Sequence, residues 1–392
     1  MIASSQLAPR PGRSLPRAFY NSADSFAADM DRIFLRSWLY AGHASRIPNE
    51  GDYFLLDVGN ESLIIIRNRE GAVNALVNVC RHRGSRVCTA PEGRSKSLVC
   101  PYHQWVYSTD GRLLNARLMP PDFPLGEYGL RRARVRVVEG LMFVCLLDSP
   151  PDFDDFAVAV TPRLRPHRLD TARVAGVESY RIRANWKLVV ENSRECYHCG
   201  AGHPQYCRAV GFAAAIGSPD LADENARLAA GLEDESIPFD GDRWYHYRRF
   251  PLRPGMLTES LDGRPVAPLM GDLAGWHTGA FAVVTMPNLL LEACPDYVMT
   301  LRMVPVAPLE TAAEITWLVR SDAREDVDYN RQRLTEFWRL TSEQDWKLCE
   351  DNQAGVSSRF YEPGPYGPDE RGVAQFVDWY LRQLEAEVPL GS

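Results

Sequence analysis

Asn185-Trp186-Lys187-Leu188-Val189-Val190-Glu191-Asn192-Ser193-Arg194-Glu195-Cys196-Tyr197-His198-Cys199-Gly200-Ala201-Gly202-His203-Pro204 is the stretch around which the rest of the chain is arranged. No Gly or Pro occurs in it before Gly200, so it reads as a helix that breaks into a Gly-rich turn. Glu195 and His198, three residues apart, share a helix face in that reading. His203 follows on the turn. Two imidazoles are thus offered to one point with a carboxylate beside them, and a third ligand must come from elsewhere. Two His and one carboxylate with open positions form the facial triad of non-heme Fe(II) oxygenases. Histidine pairs at short spacing also occur as ordinary hydrogen-bonded residues. A second metal motif upstream favours the metal.

That motif is Cys80-Arg81-His82 and, after seventeen intervening residues, Cys100-Pro101-Tyr102-His103. A Cys2His2 zinc finger pairs Cys with Cys and His with His. Here each loop supplies one thiolate and one imidazole. This suits a [2Fe–2S] cluster with two Cys on one iron and two His on the other, the Rieske arrangement. Neutral imidazoles in place of thiolates leave the cluster less negative and raise its potential. Gly84 and Pro101 help the two loops turn tightly. The competing reading is a mixed tetrahedral zinc site on the same four residues.

The remaining sequence bounds the class. A chain of 392 residues has room for two domains and a large core. A net charge of −7 gives no footprint for nucleic acid, and no apolar run is long enough for a bilayer. Residues 1–19 lack the apolar region of a secretory signal and read as a loose arm. Nine cysteines, several beside histidines, favour metal ligation in a cytoplasmic protein over disulfides. Ser22–Trp38 has helical periodicity. Short apolar runs at Tyr53–Leu56, Leu63–Ile66, Ala75–Val77, Val135–Val137 and Leu141–Leu147, separated by turn signals, read as strands. Ser149-Pro150-Pro151 reads as a linker. Beyond it, strands are expected at Ser179–Arg183, Ala280–Met286, Tyr297–Val306 and Ala313–Val319. Helices are expected at Arg324–Glu350 and Val373–Leu384; residues 210–275 resist assignment. The expected architecture is α+β, an antiparallel sheet wrapped on a long helix. Its divisions are 1–37 (arm and helix), 38–150 (cluster domain) and 151–392 (catalytic domain).

Together the two motifs resemble those of the catalytic α-subunit of Rieske non-heme iron oxygenases, and the similarity runs from about Leu15 to Leu384. Cys80-Arg81-His82-Arg83-Gly84 and Cys100-Pro101-Tyr102-His103-Gln104-Trp105 resemble the cluster loops. Asn185-Trp186-Lys187, Glu191-Asn192, Tyr197-His198 and His203-Pro204 resemble the iron-site segment. The resemblance implies a β-rich Rieske domain, then a helix-grip domain of the START/Bet v 1-like kind. It implies mononuclear Fe(II) on His198, His203 and a carboxylate of the late helix, best matched by Asp345, with Asp351 and Glu343 as fallbacks. It implies O2 as co-substrate, NAD(P)H electrons delivered by a separate flavin/iron–sulfur reductase, with or without a ferredoxin, and a head-to-tail homotrimer. In the family, the acid three residues before the first ligand His links the two metal centres across a subunit boundary; here that is Glu195.

Ring-hydroxylating members carry Asp there, with one more residue between it and the preceding Asn. Glu195 and the shorter spacing resemble the branch that oxidises quaternary ammonium compounds such as glycine betaine, carnitine and proline betaine. The expected reaction is therefore N-demethylation or hydroxylation of a small N-methyl compound. Aromatic-ring hydroxylation is the alternative, and a Rieske electron carrier without oxygenase activity a further one. Asn192 can reach the open iron face, although packing or capping explains it equally. The ring-rich stretch Asp242–Phe250 offers Trp244, Tyr245 and Tyr247 as cation–π contacts for substrate, although dense aromatic clusters are also core. Arg248 or Arg249 would suit a carboxylate tail. Cys196, Cys199 and Cys207 read as small packing residues.

Overall fold

Phe54, Leu56 and Val58 point inward while Tyr53, Leu55 and Asp57 are more exposed, the two-residue period of a half-buried strand, Asp52–Val58. The structure, a computed structural model, describes residues 8–232, 236–238 and 243–386. The first seven residues of the expected arm and Asp242 lie outside that set. Asp52–Val58 belongs to a seven-stranded antiparallel sheet in the order Leu39–His43, Leu141–Cys145, Arg132–Val138, Val73–Val77, Glu61–Arg67, Asp52–Val58, Glu92–Arg94. A three-stranded sheet, Ser97–Val99, Val106–Ser108 and Leu113–Asn115, sits beside it. The Cys80 loop leaves strand Val73–Val77, and the Cys100 loop joins the first two strands of the small sheet.

The second sheet has six antiparallel strands in the order Arg173–Ile182, Glu310–Val319, Val298–Ala307, Leu289–Ala293, Ala280–Thr285, Tyr245–Phe250. Across it lies helix Arg331–Val356. Gly176 permits the close approach: a Cβ there would stand 3.3 Å from the Thr335 methyl. The expected α+β architecture is present. The two sheets are tied together, since Asn288 accepts from Tyr40 N at 2.9 Å and donates to Tyr40 O at 3.0 Å.

The first strand of the second sheet starts at Arg173 rather than Ser179, and three helices also differ from expectation. The late helix starts at Arg331 rather than Arg324, because Asn330 accepts from Arg333 N at 3.1 Å and caps it. Arg324–Tyr329 is instead a turn held by Asp328 on Arg324 N. Ser22–Trp38 is helix Ala23–Asp29 running into a π-turn at Met30–Phe34. The organising helix is also short. It spans Trp186–Asn192, capped by the Asn185 side chain on Lys187 N, and ends before the histidines. Its first five residues are buried, including Lys187, whose ammonium meets Asp29 with both side chains fully buried.

Candidate active site

Glu195 explains where the organising helix stops. Its Oε2 accepts from the backbone N–H of Tyr197 and, at 3.3 Å, of His198. A side chain that satisfies these groups competes with helical pairing. Glu195 and His198 therefore meet across a tight turn and not along a helix face. Cys199–Gly202 adds one short helical turn, and His203 precedes the next helix, Pro204–Ala209.

This path brings His198 Nε2 to 3.1 Å from His203 Nε2. Asp345 Oδ1, about four turns into the late helix, lies 3.2 Å from the first and 2.8 Å from the second. Three donor atoms thus converge on one point. The other ring nitrogens face outward to acceptors: His198 Nδ1 lies 2.5 Å from Glu195 Oε1, and His203 Nδ1 lies 2.8 Å from Gln344 Oε1. Gln344 is steadied in turn by Gln205 Nε2 at 2.7 Å. With Nδ1 committed to an outer acceptor, Nε2 is the atom each imidazole offers to a metal once its proton is displaced. Burial alone would lower His198, but hydrogen bonds to Asp345 and Glu195 outweigh it and raise it to about 9. Burial would raise Asp345, and the two imidazoles hold it below the ordinary carboxylate range instead. Two imidazoles and a carboxylate, backed by Glu195, suit a divalent cation that takes the place of the imidazole protons.

The fallback acids lie elsewhere. Asp351 pairs with Lys347, and Glu343 with Arg339 at 3.6 Å. Cys196 and Cys199, expected as free packing residues, are joined in a disulfide around His198. Cys207 is free and partly buried. Gln344 and Gln205 were not singled out by sequence; their signal is adjacency, one residue before Asp345 and two after His203.

The cluster loops converge as expected. Cys80 and Cys100 are buried, His82 and His103 partly exposed with ring centroids 4.5 Å apart. Cys80 N donates to Ser85 O at 2.8 Å, and Cys100 N to Trp105 O at 2.9 Å, so both loops are closed turns. Trp105 stacks on His82 at 4.8 Å. His82 Nδ1 is buried without a hydrogen-bond partner among the described residues. An orphaned imidazole nitrogen beside two buried thiols fits a ligand to a cluster.

Next to the three-donor site is a cavity of about 460 Å³, of the size that takes a small molecule. Asn192, at the end of its helix, lines it with Tyr206, Phe212, Trp338 and Trp346. The expected substrate contacts need correction. Strand alternation sends Tyr245 and Tyr247 to the opposite face, where Tyr245 Oη donates to Asp155 at 2.7 Å and Arg163 lies over the Tyr247 ring at 4.5 Å. Trp244 packs on Phe156 at 4.9 Å. Their neighbours His246 and Arg248 face the cavity, whereas Arg249 turns away and donates to Thr278 O at 3.0 Å. Burial, with Arg194 and Arg248 nearby, keeps His246 well below the ordinary imidazole range, so it is neutral.

Comparison with known proteins agrees with this geometry. Residues 37–134 match the Rieske [2Fe-2S] domain, and residues 169–386 the Ring hydroxylating alpha subunit (catalytic domain). The chain belongs to the Rieske oxygenase α-subunit family. It is an oxidoreductase of the non-heme iron type, and members carry a [2Fe–2S] cluster and mononuclear iron, use O2, and receive electrons from a separate reductase. It is 39% identical over 390 residues to the glycine betaine monooxygenase oxygenase subunit of Chromohalobacter salexigens, covering 96% of this chain and 88% of that one. Among solved structures, the quaternary ammonium Rieske monooxygenase CntA superposes with a TM-score of 0.74 at 22% identity, covering 97% of both chains. A naphthalene 1,2-dioxygenase gives a TM-score of 0.75 at 20% identity, covering 97% and 94%. The fold is thus shared by oxygenases of unlike substrates. Among the described residues, no helix is long and apolar enough to cross a membrane.

Proposed function

We propose that this chain is the oxygenase component of a system that oxidises an N-methyl group of a small zwitterionic quaternary ammonium compound, with glycine betaine the first compound to test. The observation that carries this reading is the cavity beside His198, His203 and Asp345, whose wall combines the rings of Tyr206, Trp338 and Trp346 with the guanidinium of Arg248, itself over the Phe212 ring at 3.7 Å, and with Arg194. Ring faces attract a cation that has no N–H to donate, and Arg248 suits the carboxylate of a betaine. The relative at 39% identity, named for glycine betaine, supports the same choice.

In this reading His198, His203 and Asp345 hold Fe(II), which when bound supplies O2 activation and C–H oxidation. Glu195 and Gln344 fix the two imidazoles. Cys80, His82, Cys100 and His103 hold the cluster that stores single electrons. Asn192 borders the reacting space and helps to orient what enters it. Oxidation of one N-methyl C–H consumes O2, two electrons and two protons and yields water and an N-hydroxymethyl product. That product breaks its C–N bond, releasing formaldehyde, a proton and the tertiary amine. Electrons come from NAD(P)H through a flavin/iron–sulfur reductase in the cytoplasm. The assembly is a head-to-tail homotrimer in which Glu195 couples one subunit's iron site to the next subunit's cluster; the exposure of Tyr102 and Tyr197, beside the two sites, is in keeping with docking there.

The test is O2 uptake and formaldehyde release with glycine betaine and a compatible reductase. Stoichiometric formaldehyde supports the reading. Coupled hydroxylation of aromatic acids, with no formaldehyde from any N-methyl compound, would replace it with ring hydroxylation.

A further inference from the structure

Strand Leu289–Ala293 is Leu-Leu-Leu-Glu-Ala, with one acid in an otherwise apolar run. Sheet register explains where the acid goes. Leu289, Leu291 and Ala293 face the packed side of the sheet, so Leu290 and Glu292 face the cavity. Glu292 is only 4% exposed, with Tyr206 beside its carboxyl. Behind it is a second carboxyl, Glu259, 1% exposed, from a different segment. Glu259 Oε2 accepts from Trp338 Nε1 at 3.2 Å. The Glu259 and Glu292 carboxyls are close enough to share a proton.

Burial raises both groups, and Glu259 is raised further by the charge of Glu292. Glu259, Arg248 and Tyr206 act the other way on Glu292. Both are held above the ordinary carboxylate range, Glu259 the further, so when the pair carries a single negative charge that charge lies on Glu292, the member facing the cavity. Two rings, Tyr206 and Trp338, stand edge to face at 5.8 Å on the cavity wall beside this charge. A quaternary ammonium ion has no N–H and is recognised by ring faces and by nearby negative charge without a direct hydrogen bond.

A second relation concerns direction. Arg248 pairs with Ala282, and Ala282 with Glu292, so the three residues form one row across adjacent strands. Ala282 leaves space between the two charged side chains. The row presents a positive end and a negative end to the cavity, complementary to a molecule whose own charges run the opposite way.

We infer that Glu292, backed by Glu259, is the specificity-determining residue that selects a cationic nitrogen over its neutral carbon equivalent, with Arg248 reading the anionic end. The inference rests on the zwitterionic-substrate reading above and names the group that enforces it. An acid pair with a purely structural role would affect stability but not the ranking of ligands that differ in charge alone.

Glycine betaine and 3,3-dimethylbutanoate differ only in N⁺ against C, so their affinity ratio isolates that charge. Calorimetric titration of the anaerobic holoenzyme with each gives the ratio. The wild type should prefer glycine betaine. Glu292→Gln should cut the ratio at least tenfold, about 1.4 kcal/mol, by weakening glycine betaine and leaving 3,3-dimethylbutanoate little changed. Glu259→Gln, still a neutral donor, should keep the preference. An unchanged ratio in Glu292→Gln overturns the inference and leaves the substrate reading standing. If the wild type binds neither compound, both fall. Should Glu292→Gln not fold, Glu292→Met, similar in volume and uncharged, takes its place: a ratio cut at least tenfold supports the inference, and an unchanged ratio overturns it.

Discussion

Replacing Gln344 by leucine removes the acceptor for a ring that is itself almost inaccessible. His203 is 1% exposed, and its Nδ1 lies 2.8 Å from Gln344 Oε1. With that acceptor present, Nδ1 keeps its proton, and Nε2, which donates to Asp345 in the metal-free site, is the nitrogen that can give its lone pair to a metal. Without it, a buried N–H is left unsatisfied, which costs about 1–3 kcal/mol, or the proton moves to Nε2 and blocks the metal. A cost of that size lowers affinity roughly five- to 150-fold, in keeping with the 10–100-fold typical when an outer partner of a metal-binding His is lost. Leucine also strands Gln205 Nε2, which donates to the same oxygen at 2.7 Å and lies 3.2 Å from Thr341 Oγ1. Gln344→Glu keeps an acceptor and should stay near the wild type. The assay is anaerobic ferrous titration of protein depleted of mononuclear iron, with cluster absorbance as the control for folding. Gln344→Leu binding iron within about twofold of the wild type would refute the idea that Gln344 sets the imidazole, whose expected effect is an order of magnitude larger.

Other perturbations test other parts. Glu195→Gln should retain both metals but slow reoxidation of the reduced cluster in stopped flow at least about tenfold, because it removes the charge 2.5 Å from His198 Nδ1; a wild-type rate would leave Glu195 as a turn-former only. Lys187→Met should lower unfolding free energy by about 3–5 kcal/mol in urea, since it breaks a fully buried pair with Asp29; a loss under about 1 kcal/mol would mean that Trp186 Nε1 and Tyr380 Oη already satisfy that carboxylate. Ferrous affinity should rise roughly tenfold from pH 6.5 to 7.5, because each bound metal displaces a proton from His198. With neighbouring carboxylates holding that imidazole up to about 9, it is protonated throughout this range. A flat profile would mean that no proton is displaced.

The convergence of both His-containing motifs was legible because metal chemistry, where it applies, constrains ligand type and local spacing more tightly than packing does. The cluster loops, each one Cys and one His on a short turn, closed as the sequence implied. Asp345 needed the resemblance to be singled out, since it lies more than a hundred residues from the histidines. The organising helix was read too long because Glu195 has ordinary helical propensity, and only its side-chain bonds to Tyr197 and His198 reveal the turn. Tyr245 and Tyr247 were read as substrate contacts although strand alternation left either face open; the face was decided by packing on helix Asp154–Leu164, through Phe156 and Arg163. Glu259 and Glu292 carry no motif, and folding alone unites them.

Metal and sulfide content of the wild type and Asp345→Ala tests the central claim most directly. The account predicts three irons and two acid-labile sulfides per wild-type chain, two for the cluster and one for the triad. Asp345→Ala should keep the Rieske spectrum and both sulfides while losing the third iron. A colourless, zinc-only protein after anaerobic reconstitution, or full retention of the third iron in Asp345→Ala, would contradict it.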